Sequence, residues 1–125
     1  RDPSDIAGCI AQLLSGRADV VTTAYEAERN PYFNMVVLDA DGVARICKPP
    51  PYPLATRQAA PRVYSLSPSV YAVRRDALWR YEHWSQSRLA LYLIPRERAL
   101  DIDSEADLCL VESLMRHRGL ATPGP

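Results

Sequence analysis

An α/β layered sheet with an antiparallel hairpin inserted into it is the fold class this sequence predicts, on three observations. Strand-like and helix-like segments alternate along the chain. Two β-branched segments flank Asp41-Gly42, a dipeptide that favours tight hairpins. At 125 residues, 47% hydrophobic and 24% charged, the chain has the profile of one globular domain with a modest core.

The elements follow in order. In "DPSDIAGCIAQLLSG", Asp2 is placed to cap a helix, Pro3 fits its first position and Asp5 lies in its first turn. Ile6, Ile10, Leu13 and Leu14 fall at helical spacing and predict its buried face, and Gly16 ends it. "DVVTTAY" (19–25) reads as a β-branched strand. Strands at about 33–38 and 43–47 form the hairpin. A proline-rich stretch from Pro49 to Pro61 then predicts a loop, since proline cannot donate to a sheet ladder. "SVYAVRR" (69–75) predicts a strand, "RDALWRYEHW" (75–84) a short helix, and "RLALYLI" (88–94) a strand stopped by Pro95. The last helix covers about 104–118, with Leu108, Val111, Leu114 and Met115 inward and Gly119 as its stop. Residues 121–125 read as a tail. The chain opens directly on a helix, without an initiator Met or a preceding strand, which predicts the later part of a larger protein.

Composition excludes several function classes. Fifteen basic and fifteen acidic residues balance, so no net field favours nucleic acid or an anionic membrane. No apolar run is long enough to span a membrane. Cys9, Cys47 and Cys109 are odd in number and lack C-x-x-C spacing, which argues against a disulfide framework or a zinc site and for reduced thiols in the cytoplasm. The chain has no Gly-rich phosphate loop, no G-x-S-x-G and no H-E-x-x-H.

"LDIDSEADL" is the stretch with the most chemistry in it. In extended backbone Asp101 and Asp103 point to one face, with Cα atoms about 6–7 Å apart. Two unit charges at that distance repel by roughly 2–3 kcal/mol at an effective dielectric of 20. A shared divalent cation turns that cost into attraction, and Mg²⁺ takes one or two carboxylates plus substrate phosphates. Helix capping is the competing account, because Ser104-x-x-Asp107 matches a capping box and Asp103 is also placed to cap. Capping leaves Asp101 unexplained. In the proline-rich loop, Arg57-Gln58 offers a planar fork suited to a carboxylate or phosphate, or else a solvated arginine. Lys48, the one lysine, stands next to the prolines within reach of a phosphate. Arg74-Arg75 and "RER" (96–98) read as surface charge with local ion pairs. His83 and His117 have no partner at metal-ligand spacing. By position, Tyr64, Tyr71 and Tyr81 read as core.

"RQAAPRVYSLSPSVYAV", followed later by "LIPRERALDIDSEADLCLVESL", resembles the second half of the acylneuraminate cytidylyltransferases, the CMP-sialic acid synthetases. "VVTTAYEAERNPYFNMVVLDADG" resembles the same family's strand, Asn/His-Pro turn and hairpin, so the likeness covers nearly the whole chain. It implies the C-terminal part, 1–120, of a Rossmann-like nucleotidyltransferase that joins CTP to a nonulosonic sugar acid and releases pyrophosphate. It further implies that Asp101 and Asp103 hold Mg²⁺, that Arg57 meets the sugar carboxylate, and that Gln58 and Tyr71 lie in the sugar pocket. It implies a homodimer through the insertion at 25–56. Where the family carries Asn-Gly-Ala before the tyrosine, this chain has Ser67-Pro68-Ser69, and Ser65 replaces an arginine. Those departures leave the sugar open among sialic acid and related nonulosonates. A CMP-Kdo synthetase-like enzyme and a non-catalytic interaction module of the same fold are the alternatives. The family's Gly-rich, basic nucleotide loop has no counterpart in these residues.

Overall fold

The computed structural model describes residues 2–119, in which one compact unit combines residues 2–25 with 66–119 and a second spans Glu26–Ser65. The tail expected at 121–125 lies outside the described residues.

The first unit is built on a mixed three-stranded sheet, β4-β1-β5. β1 (Val20–Glu26) is central, and residues 20–24 are all buried. A strand rich in Val and Thr suits a position covered on both faces. β5 (Leu89–Leu93) runs parallel to it, with Val20 opposite Leu89 and Ala24 opposite Leu93. β4 (Tyr64–Val73) runs antiparallel: Arg74 N–H donates to Asp19 O at 2.9 Å, and the Thr22 and Thr23 hydroxyls reach Val70 O and Ser67 O, each at 2.9 Å.

β4 starts earlier than the expected 69–75 and carries Pro68 in its middle. An edge strand tolerates a residue with no N–H to offer, and β4 is an edge of this sheet. Its two buried residues, Ser67 and Ala72, are separated by an odd interval. Ser69 and Val70, adjacent in sequence, both line one small hollow beside the start of the first helix. The strand therefore changes phase at Ser69-Val70, as a bulge does. Leu66, Pro68 and Tyr71 are left exposed, on the other face by alternation.

α1 (Pro3–Ser15) begins as expected, with Asp2 accepting from Ser4 N–H at 2.9 Å. Its buried face differs. Asp5, Cys9 and Leu13 point inward, whereas Ile6, Ile10 and Leu14 are exposed. Cys9 and Leu13 join Val21 and Ala72 in the core. Gly8 leaves room for Tyr92, since a Cβ there would stand 2.3 Å from its ring. Asp5 is tolerated inside because Arg98 reaches it: one guanidinium nitrogen is 3.0 Å from Asp5 and another 3.3 Å from Asp2. Arg98 thus ties down α1 rather than pairing within "RER". Arg74, expected as surface charge, donates to Leu13 O, Gly16 O and Ala18 O, satisfying carbonyls at and just past the end of α1.

Asp19, 1% exposed, pins the amino end of the sheet. It accepts from Arg88 Nε at 3.1 Å, Tyr81 OH at 2.9 Å and Arg80 Nη1 at 3.3 Å. The Arg88 hydrogen bond, then that of Tyr81, hold its carboxyl well below the usual carboxylate range. The helix expected at 75–84 is consequently only α2 (Ala77–Arg80), followed by a 3₁₀ turn at Trp84–Gln86. Tyr81 leaves helical geometry and reaches Asp19.

α3 (Glu105–His117) falls within the expected span, and Gly119, at φ +67, is its stop. None of its residues is buried; Val111 and Leu114 are half-buried, and Leu108 and Met115 are exposed. In the second unit, β2 (Val36–Leu38) and β3 (Ala44–Ile46) form the expected antiparallel hairpin, shorter than predicted. Gly42 adopts φ +76 in its turn, which Asp39 organises by accepting from Val43 N–H at 2.8 Å and Asp41 N–H at 3.2 Å. Every residue of both strands is exposed. Among the described residues no helix is long and apolar enough to cross a membrane.

Candidate active site

Two hollows hold four of the five residues singled out above. The first belongs to the sheet unit. After β5, Ile94 N–H donates to Ala24 O at 2.8 Å, Pro95 breaks the strand, and a 3₁₀ turn at Arg96–Arg98 leads to an irregular segment, 100–103. Asp101 and Asp103 line an open hollow of about 630 Å³ there with Pro68, Leu100, Ile102 and Val111. Ser67, next to Pro68, accepts from Thr23 Oγ1 midway along β1, and the segment 100–103 follows the carboxyl end of β5. In open α/β sheets that is the end where ligands bind.

The helix cap is made by a different residue. Ser104 Oγ accepts from Asp107 N–H at 3.3 Å and donates to Asp107 Oδ2 at 2.6 Å. Asp103 contributes its backbone N–H to Asp107 Oδ2 at 3.3 Å, not its carboxylate. The Ser104 hydroxyl holds the Asp107 carboxyl below its usual range. Capping therefore accounts for Ser104 and Asp107 and leaves the Asp103 side chain on the hollow. Two carboxylates on one open cavity are hard oxygen ligands of the kind Mg²⁺ takes, with its remaining positions left for water and phosphate. Among the described residues no group of three or more His, Cys, Asp or Glu converges as a metal cluster.

The second hollow, of about 360 Å³, belongs to the other unit, and Glu26, Asn30, Arg57, Gln58 and Arg62 are among its lining. Arg57 opens a 3₁₀ turn, Arg57–Ala59, and one guanidinium nitrogen donates to Glu28 O at 2.5 Å. Tyr52 OH holds the end of that turn through Ala59 O at 2.8 Å. The planar fork keeps further donors for an anion. Asn30, Glu26 and Arg62 escaped the sequence reading as lining residues; the Asn30-Pro31 dipeptide marked a turn but not its distant partner.

Tyr71 belongs to neither lining. It stands on β4, exposed rather than in the core, with its ring edge-on to Trp84 at 5.6 Å. By alternation it shares the β4 face of Pro68. Lys48 lies over the Tyr32 ring at 4.9 Å, a cation–π contact. His83 Nδ1 accepts from Ser85 N–H at 3.3 Å at the start of a 3₁₀ turn. All three cysteines are free thiols; Cys9 is buried, and burial, then the Asp5 charge, push its thiol up, which is the wrong direction for a nucleophile.

No family model matches the chain. It is 31% identical over 120 residues to a post-translational flagellin modification protein B of Campylobacter coli, covering 96% of this chain and 50% of that protein. It is 34% identical over 99 residues to a CMP-N,N'-diacetyllegionaminic acid synthase of Campylobacter jejuni subsp. jejuni serotype O:2, covering 79% of this chain and 41% of that protein. The chain thus spans about half the length, or less, of these curated relatives. The motifs that carry the likeness and these two relatives together make the chain similar to the acylneuraminate cytidylyltransferases.

Proposed function

We propose that the complete protein carrying this segment transfers the cytidylyl group of CTP to a sialic-acid-like nonulosonic acid, on a Rossmann-like nucleotidyltransferase sheet. The observation that carries this is the pair Asp101 and Asp103 on one hollow, in the segment that follows β5, with the helix cap supplied separately by Ser104. In the reaction the sugar's anomeric hydroxyl oxygen bonds to the α-phosphorus. The bond from that phosphorus to the β-phosphate's bridging oxygen breaks, pyrophosphate leaves, and the hydroxyl proton is lost to solvent or base. Asp101 and Asp103 would hold Mg²⁺, which when bound neutralises charge developing on the phosphates. Arg57 would take the sugar carboxylate with its remaining donors, and Gln58 would stand beside it to bond the sugar's hydroxyl or acyl groups. Tyr71, by the family likeness, would bear on the sugar. Positioning and charge neutralisation are the main requirements of such a transfer.

The legionaminic acid synthase among the relatives supports a nonulosonate acceptor. The hairpin, apolar and exposed on both strands, supports a homodimer through the 25–56 insertion. Three free thiols support a reducing, cytoplasmic setting. The test is pyrophosphate release from CTP and Mg²⁺ with sialic, legionaminic and Kdo acids offered in parallel. Release with a nonulosonate supports the reading. Kdo as the sole acceptor moves the protein to the CMP-Kdo branch. No release with any acceptor, under conditions where CTP binds, leaves an interaction module, to which the departure at Ser67-Pro68-Ser69 would then point.

A further inference from the structure

We propose that Asn30 is a positioning residue for sugar-acid recognition: its side-chain amide ties the turn at 28–34 to the stretch carrying Arg57 and Gln58 and so fixes where those two stand. The proposal rests on the reading of Arg57 as the carboxylate partner.

The stretch that carries Arg57 and Gln58 is poor in ways to hold itself. Pro49, Pro50, Pro51, Pro53 and Pro61 have no N–H to donate, and the 3₁₀ turn at Arg57–Ala59 is its one regular element. Its position is therefore set by bonds to other segments. Asn30 supplies one of them from a buried place. It is 9% exposed, and a buried amide must find partners. Its Oδ1 accepts from Tyr32 N–H at 2.9 Å, and its backbone C=O accepts from Phe33 and Asn34 N–H at 3.0 and 2.9 Å. Those bonds build the local turn. Its Nδ2 does something else: it crosses to Pro61 O at 2.9 Å, 31 residues along the chain. On either side of this bond are Arg57 to Glu28 O and Ala27 N–H to Val63 O at 3.0 Å. Three ties thus join 27–30 to 57–63, and Asn30 makes the one that comes from a buried, neutral side chain. Since Glu28 O both orients the Arg57 guanidinium and lies two residues before Asn30, a turn that drifts from Pro61 takes the arginine's anchor with it.

The consequence is specific. Loss of the tie leaves Arg57 and Gln58 present but makes the sugar acid order the loop when it binds, which weakens that substrate alone. The test is steady-state kinetics of the complete enzyme with Asn30→Asp, Asn30→Ala and Arg57→Ala. Asn30→Asp keeps the oxygen that accepts from Tyr32 and replaces the donor facing Pro61 O with an acceptor. It therefore preserves the turn while removing the tie, and it remains informative if Asn30→Ala fails to fold. We expect Asn30→Asp to raise the sugar-acid KM about tenfold with the CTP KM and kcat held within about twofold. A wild-type sugar-acid KM in Asn30→Asp, beside a raised one in Arg57→Ala, overturns the proposal and leaves the Arg57 reading standing. An equal rise for both substrates overturns it in favour of general damage to the fold. An unchanged sugar-acid KM in Arg57→Ala overturns the proposal together with the reading beneath it.

Discussion

At the residue scale, the carboxylates at 101, 103 and 107 have separate duties that their nearness in sequence conceals. Asp107 belongs to the cap: its N–H and carboxylate both engage Ser104. Asp103 lends the cap only a backbone N–H. Asp103→Asn should therefore leave the melting temperature close to wild type while cutting turnover at least about a hundredfold, because metal stabilisation of phosphoryl-type transfer is worth several kcal/mol. Ser104→Ala should do the reverse, costing about 1 kcal/mol of stability with turnover largely kept. Paired thermal melts and rates on the two variants check this. A Ser104→Ala enzyme as slow as Asp103→Asn would return both residues to the cap. Asp19 makes a second case. Its carboxyl is held low by Arg88 and Tyr81, so it ionises more readily in the folded chain than in the unfolded one. A depressed folded value means its contribution is complete above the ordinary aspartate value, about 3.9, and is withdrawn as the pH falls below it. The melting difference between wild type and Asp19→Asn should be largest near pH 7 and shrink as the pH drops below about 4. The lowered carboxyls of Asp2, Asp39 and Asp107 are common to both proteins and cancel in that difference. A gap that stays constant with pH would show that the Asp19 contacts do not stabilise the fold through its charge.

At the element scale, helix and strand identities were legible wherever a local signal suffices: a cap and a proline at α1, Asp41-Gly42 in the hairpin, Gly119 after α3. What was not legible depended on distant partners. Periodicity chose Ile6, Ile10, Leu13 and Leu14 as the inward face of α1; Leu13 is inward, but Asp5 and Cys9 join it in place of the other three. The reason is Arg98, remote in sequence, which makes a buried Asp5 tolerable. The strand expected at 69–75 likewise extends back through Pro68 to Tyr64, which the edge position of β4 admits. The site followed the same division. The two carboxylates and Arg57-Gln58 were visible as motifs, whereas Asn30 and Pro68 became site neighbours only through folding. The hairpin carries its own prediction. Directly opposed residues point the same way, so Val36, Leu38, Ala44 and Ile46 share one face, and Leu38 is 70% exposed. A two-stranded ribbon with an uncovered apolar face is marginal alone. If a second copy covers it, Leu38→Lys should turn a dimeric complete protein into a monomer by sedimentation at micromolar concentration, with its circular dichroism unchanged. A dimer that survives both Leu38→Lys and Val36→Lys would move the interface elsewhere.

At the scale of the whole molecule, the question is whether these 125 residues contain a place for a nucleoside triphosphate. Triphosphates are held by backbone N–H groups of a Gly-rich loop or a helix N-terminus, with basic help. The glycines among the described residues have other work. Gly8 makes room for Tyr92 inside α1, Gly16 ends that helix, Gly42 takes a positive φ in the hairpin turn, and Gly119 does so after α3. Several basic residues are similarly engaged: Arg74 on the end of α1, Arg80 and Arg88 on Asp19, Arg98 on Asp2 and Asp5, Lys48 over Tyr32. At the starts of α1 and α3 the backbone N–H groups already face carboxylates or hydroxyls, Asp2 at α1 and Ser104 with Asp107 at α3. The described residues therefore offer a pair of acids for a cation and an arginine for a carboxylate, but no cradle for three phosphates. The prediction is that the isolated segment gives no heat of CTP binding by calorimetry, with or without Mg²⁺, whereas the complete protein binds CTP and does so better with the cation. Sub-millimolar CTP binding by the segment alone would place nucleotide recognition within these residues, and Arg57 and Arg62 on the second hollow would become the first groups to test for it.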